Sequence, residues 1–182
     1  FQLWHASPLP FELGFGVFID LPARAIHLGF ALFIAFLMYP FLKSNRDKKF
    51  NIFSIFLSLF ALFTTLYIFF DYEGLVNRNG ILLTNTINLF GYKISFPTEL
   101  LIGLLGITLL LEGTRRSIGL PLVIVAFVFL IYSYFGQYMP NIISHQGLSF
   151  NRLVGYHWFG AEAIFGIPIS VSVSFVFLFV LF

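Results

Sequence analysis

The sequence predicts an all-α, polytopic integral membrane protein with about five transmembrane helices and outer interfacial segments. Three observations carry that prediction. Of 182 residues, 59% are apolar and only 10% charged, against about 25% charged in an ordinary soluble domain. The mean hydropathy is +0.93. Apolar runs of membrane length recur along the chain, and the basic residues gather in some of the segments between them but not in others. A soluble domain of this size cannot hide so much apolar surface in one core. A disordered chain needs low hydrophobicity and high charge. The net charge of +2 is too small for a nucleic-acid binder. The absence of cysteine removes a disulfide framework, a thiolate metal site and a cysteine nucleophile.

A span needs about 20 apolar residues to cross roughly 30 Å of hydrocarbon. Residues 25–42 form the first such run, with His27 the strongly polar member, and residues 50–70 form the second, without a charge. The third is weaker. Residues 100–111 are purely apolar but bounded by Glu99 and Glu112, so membrane length requires a helix from about Pro97 to Arg115. Residues 118–138 and 164–182 are the fourth and fifth. Ile169 to Ser174 alternates like a strand. An open strand in lipid would leave amides unpaired, and a closed barrel would repeat that alternation in every run, so helix is the expectation.

Orientation follows from Lys and Arg in short loops. Lys43, Arg46, Lys48 and Lys49 lie between spans one and two, and Arg115 and Arg116 lie in the tight turn after span three. Both loops fall on one side, expected to be cytoplasmic. The opposite segments hold Glu12, Asp20, Asp71, Glu73, Glu99 and Glu162 against Arg24, Arg78, Lys93 and Arg152. The chain starts at Phe1 and stops at Phe182 within an apolar run, so it reads as a piece of a longer polypeptide. Phe1 to His5 reads as the outer tip of an earlier helix, and Ser7 to Pro22 as an outer loop. Asn77-Arg78-Asn79-Gly80 is a turn signal within a long outer segment, Asp71 to Phe96, where residues 81–90 suit a short interfacial helix or a hairpin. Met139-Pro140-Asn141 breaks the fourth helix. Ser149 to Phe159 reads as an amphipathic outer stretch, with Tyr156, His157 and Trp158 suited to the headgroup zone.

Few residues carry chemistry. His27 follows Arg24 by one turn near the outer end of span one. The pair is either a proton or substrate contact or a snorkelling interfacial pair. Glu112 precedes Arg115 and Arg116 by three and four residues, which makes them helix neighbours and either a gate or ion site or a topology anchor. Glu99 and Glu162 suit outer helix starts through the helix dipole. Gly103, Gly106 and Gly113 give span three a small-residue face for close helix packing. Gly166-Ile167-Pro168 marks either a broken helix lining a site or an ordinary helix start with Pro168 in its first turn. His145 and His157 lack acidic partners in any ligand pattern. No catalytic residue, metal ligand or cofactor motif is visible, so the expectation is that the chain is not an enzyme.

Several strings resemble the fused permeases of TRAP transporters. These are Arg24-Ala25-Ile26-His27-Leu28 with the run to Tyr39-Pro40, Leu110 to Arg116, Phe135 to Pro140, and Arg152 through Pro168 into residues 175–179. The resemblance spares residues 71–96, which read as an insertion. It implies a tripartite, ATP-independent secondary importer of organic acids or similar solutes in a bacterial or archaeal inner membrane, with sodium as the suspected coupling ion. The implied partners are a periplasmic solute-binding protein of the TAXI type, the remainder of the fused permease and the lipid bilayer, with no nucleic acid. By the same resemblance residues 1–117 are the small-subunit region lacking its first helix, 118–148 a linker helix and outer loop, and 149–182 an interfacial helix and the first helix of the large subunit. The substrate and sodium ligands are then expected beyond Phe182. A membrane interaction or assembly protein without transport activity is the alternative.

Overall fold

The computed structural model describes residues 1–18, 20–39, 52–78, 81–89, 92–176 and 179–180. The basic loop at 43–49 and the turn at Asn79-Gly80 lie outside the described residues. The chain is helical in outline. Two short helices, α1 (Gln2–Ala6) and α2 (Leu9–Leu13), precede the long α3 (Asp20–Met38) and α4 (Ile52–Phe70). A short α5 (Tyr72–Asn77) leads to a hairpin of β1 (Asn85–Leu89) and β2 (Tyr92–Phe96), antiparallel with Asn85 opposite Phe96. Then come α6 (Thr98–Ser117), α7 (Leu120–Phe135), α8 (Phe150–Val154) with a π-helical turn Gly155–Phe159, and α9 (Ile167–Val171) with a second π-helical turn Ser172–Val176.

Three helical stretches, Asp20–Met38, Ile52–Phe70 and Leu120–Tyr138, are long and apolar enough to cross a membrane. The chain is thus a helical membrane protein in outline. The helix α6 is as long, about 30 Å at 1.5 Å per residue, but Glu99, Glu112, Arg115 and Arg116 sit in its end turns. The fifth run contributes a shorter apolar helix, Ile167–Val176.

The core forms because two stripes match. Along α3, Leu21, Ala25, Leu28, Leu32 and Phe36 are buried, and along α4, Ser54, Ser58, Ala61, Thr65 and Ile68. Both stripes recur every three to four residues, so each lies on one helical face. The large side chains of α3 settle onto the small ones of α4, which lets the two backbones approach closely. At the tightest point a Cβ built on Gly29 would lie 3.3 Å from Cβ of Thr65. Two of the buried hydroxyls return to their own helix, Ser58 donating to Ile55 O (2.8 Å) and Thr64 to Ala61 O (2.9 Å), whereas Ser54 Oγ has no partner among the described residues. Neither the Ser58 nor the Thr64 hydroxyl is thus left unsatisfied in an apolar setting.

The third wall is α6, whose Gly113 lies against Leu32 of α3. The end of α4 meets the start of α6 through Tyr67 and Glu99, and the end of α3 meets the end of α6 through Tyr39 and Arg116. The helices α3 and α6 therefore run the same way and α4 runs opposite. One end of the bundle carries the junctions 39–52 and 117–120. The other carries residues 71–97. The helix α7 follows a tight turn at Gly119 (φ 122°) and has no fully buried residue. Its phenylalanines and aliphatics face outward, as do Phe53, Phe56, Phe60, Phe63 and Phe70 of α4.

Three expectations need correction. Ser7 to Pro22 is not a loop throughout, since α2 occupies part of it and α3 begins at Asp20. Pro22 falls in the first turn of α3, where an amide has no intrahelical partner. Of the two readings given for residues 81–90, the hairpin is the one found, with β1 paired to β2. Glu162 does not start a helix. It stands in the turns before α9 and accepts a bond from the Tyr156 hydroxyl (3.3 Å). Trp158 is not exposed to an interface but fully buried within the bundle. Gly103 and Gly106 leave a groove on α6 that takes Val154, Trp158 and Phe159, and burying a large ring there outweighs an interfacial seat. The 150–159 stretch is amphipathic all the same, with Leu153, Val154, Trp158 and Phe159 inward and Phe150, Asn151, Arg152 and Tyr156 outward.

Candidate functional site

Three polar clusters hold the bundle, and each begins from a local feature of the sequence. The first is at the end where residues 71–97 lie. Pro97 precedes α6, which places Glu99 in its first turn, where an acid suits the helix dipole. The side chain turns inward and is fully buried. Its Oε1 accepts bonds from the Tyr67 hydroxyl (3.1 Å) and from Arg78 (2.5 Å), and its Oε2 accepts the amide of Leu83 (2.6 Å). Arg78 also bonds Asp71 (2.5 Å). Burial works against the Arg78 cation, but the bonds and charges of Asp71 and Glu99 outweigh it and raise its pKa. One guanidinium thus joins two carboxylates, and the carboxylate of α6 fixes the base of the 81–97 segment. Thr98 adds a bond to Leu83 O (3.4 Å). Charge patterning alone missed this arrangement, because Glu99 and Arg78 are separated by 21 residues. The available signal was a lone acid at the edge of an apolar run with a single arginine in the preceding loop.

The second cluster joins α3 to the segments just before and just after α9. Arg24 and His27 lie one turn apart and so share a face of α3. Arg24 donates to Phe165 O (2.8 Å) and Ala161 O (3.5 Å), and meets Asp20 at 3.4 Å. The ring of His27 is bonded at both nitrogens, accepting from the Gln2 amide at Nδ1 and donating from Nε2 to Ser172 Oγ (3.0 Å). Gly166 caps α9 and Pro168 is its second residue, so this is the geometry of an ordinary helix start. The carbonyls upstream of it would lack partners in an apolar setting, and Arg24 supplies one. Arg24 and His27 each grip the chain 137 to 145 residues away.

The third cluster closes the opposite end. Glu112 accepts two bonds from Arg115 (2.7 and 2.8 Å) and one from Arg116 (2.8 Å). Arg116 reaches further, donating to Tyr39 O (3.3 Å) with its guanidinium 5.0 Å from the centre of the Phe36 ring. The three residues predicted as helix neighbours are brought together, and Arg116 in addition ties α6 to the end of α3.

His145 and His157 make local packing and hydrogen-bond contacts. His145 packs its ring on Gly136 and Tyr132 and accepts the Gly147 amide (3.1 Å), which folds the strap after α7 back onto that helix. His157 bonds Leu153 O (2.9 Å). Among the described residues no group of three or more His, Cys, Asp or Glu is placed to hold a metal ion. A cleft of about 760 Å³ lies between the start of α3, α5, residues 81–82 and the 148–161 segment.

Comparison with protein-family models, with curated proteins and with solved structures gives no match.

Proposed function

We propose that this chain is the scaffold portion of a secondary active solute importer of the TRAP type, a multi-pass protein of a bacterial or archaeal inner membrane. In this reading α3, α4, α6, α7 and the helix beginning at α9 are five spans. The loop at 43–49 and the turn at Arg115 and Arg116 face the cytoplasm, and residues 71–97 face outward. The bundle is a fixed frame, the outer segments help dock a periplasmic solute-binding protein of the TAXI type, and the solute and sodium ligands belong to the remainder of the permease. One observation carries the reading: the helix directions gather the chain's positive connections at one end and its mostly acidic segments at the other, the distribution that membrane insertion selects. The grip of Arg24 on the chain before α9 and of His27 on Ser172 just after it suits a frame that holds the start of an adjoining domain. Exposed apolar α7 suits a helix between frame and lipid.

The test is topological. The chain has no cysteine, so single cysteines replacing Asn45 and Asn79 report without background. A membrane-impermeant maleimide applied to sealed right-side-out vesicles should label the Asn79 variant and leave the Asn45 variant until the membrane is opened. Labelling of both from one side contradicts the proposed orientation.

A further inference from the structure

The cleft between the start of α3, α5 and the 148–161 segment touches the second cluster at Asp20 and Ala161, but its remaining lining belongs to none of the three clusters. Its volume of about 760 Å³ falls within the roughly 300–1,000 Å³ typical of small-molecule sites. Its walls are mainly apolar, with Leu21, Leu75, Ile81 and Phe159 among them. Two charged residues line it, Asp20 and Arg152. They are not equivalent. Asp20 is offset by Arg24 at 3.4 Å. Arg152 makes no ion pair or side-chain hydrogen bond among the described residues. The net electrostatic character of the cleft is therefore that of one unoffset guanidinium beside a hydrocarbon wall. Guanidinium binds carboxylate and phosphate oxygens through two parallel N–H bonds.

The cleft also lies at a particular level. The start of α3, the continuation of α4 into α5 and the segment tied to Glu99 all meet there. In a membrane this is where hydrocarbon gives way to headgroups. We infer that the cleft binds an amphipathic anion, its carboxylate or phosphate on Arg152 and its apolar tail along Leu21, Leu75, Ile81 and Phe159. An anionic phospholipid and a soluble aliphatic carboxylate share that chemistry. The inference stands on the cleft and does not depend on the transport reading.

The test uses the purified chain in neutral detergent, with retained ligand read by native mass spectrometry. The probes are phosphatidylglycerol, decanoate and, as a neutral-headed control, phosphatidylcholine. Two variants change exposed lining residues, Arg152→Gln and the cleft-filling Val76→Trp, with circular dichroism checking that each stays folded. One equivalent of an anionic probe should bind about tenfold more tightly than phosphatidylcholine, as a charge-assisted hydrogen bond implies. Arg152→Gln should remove that preference, and Val76→Trp should weaken binding of the tail itself. Binding of phosphatidylglycerol alone identifies a lipid site, and binding of decanoate alone identifies a site for a soluble acid. Failure of both anions to bind, or binding unchanged by both variants, overturns the inference.

Discussion

Replacing Gly106 with alanine is expected to loosen the contact between α6 and the 150–159 stretch and to lower the unfolding midpoint of the purified protein by several degrees. A Cβ at this position would fall within the Trp158 indole, at ring atoms rather than at a flexible end. Trp158 has little room to retreat, because it is fully buried and Phe165, also fully buried, packs edge-on with ring centroids 5.6 Å apart. Overpacking of this kind costs about 1–3 kcal/mol. Trp158→Ala removes the ring and leaves a void, at about 3–5 kcal/mol. The two changes share one contact, so they should not add. In the Trp158→Ala background, Gly106→Ala should cost almost nothing, because the ring it strikes is gone. Thermal unfolding of the four proteins measures this. An unchanged midpoint for Gly106→Ala alone, or costs that simply add, would show that Trp158 does not sit in the glycine groove.

The second large effect is expected at Arg78. Arg78→Gln leaves the fully buried Glu99 without its cation and strips Asp71 as well. Removing one partner of a buried ion pair costs about 3–5 kcal/mol. Arg78 keeps some solvent contact, with 22% of its side chain exposed, so the lower part of that range applies. Glu99→Gln should cost less, because Arg78 keeps Asp71 and the new amide still reaches Tyr67 and Leu83. The double variant should recover part of the Arg78→Gln loss, since no buried charge is then stranded. Hydrogen exchange at the Leu83 amide reads the local consequence, because that amide donates to Glu99. It should exchange fastest in Arg78→Gln. Equal protection in all variants would remove Glu99 as the anchor of the 81–97 segment.

The pattern of apolar runs located the long helices to within a few residues because length and hydropathy act locally. The first run was expected at Ala25 and the helix starts at Asp20, since the first turn of a helix tolerates Pro22 and favours an acid. Glu112 with Arg115 and Arg116 was legible because the contacts lie within one turn. The groove at Gly103 and Gly106 was legible as a small-residue face, but not its occupant, which comes from about 50 residues further along. Trp158 misled for a related reason: a tryptophan beside Tyr156 and His157 has the composition of an interfacial belt, and only the position of α6 decides otherwise. The α4 stripe of Ser54, Ser58, Ala61, Thr65 and Ile68 has the spacing of a buried face and was available to reading, yet its polar members concealed it. Glu99 and Arg78, and Arg24 with Phe165, are long-range pairs for which no local spacing exists.

The central claim is that α3 and α4 form a frame whose members do not move against each other. The most direct measurement introduces Gly29→Cys and Thr65→Cys together, at positions whose Cβ atoms are placed 3.3 Å apart, close to the roughly 3.5–4.5 Å that a disulfide needs. In the fused permease that the proposal requires, oxidation should form the bond in most molecules, and sodium-driven solute uptake should be the same with the bond closed as after reduction. Uptake that stops on oxidation and returns on reduction would contradict a fixed frame.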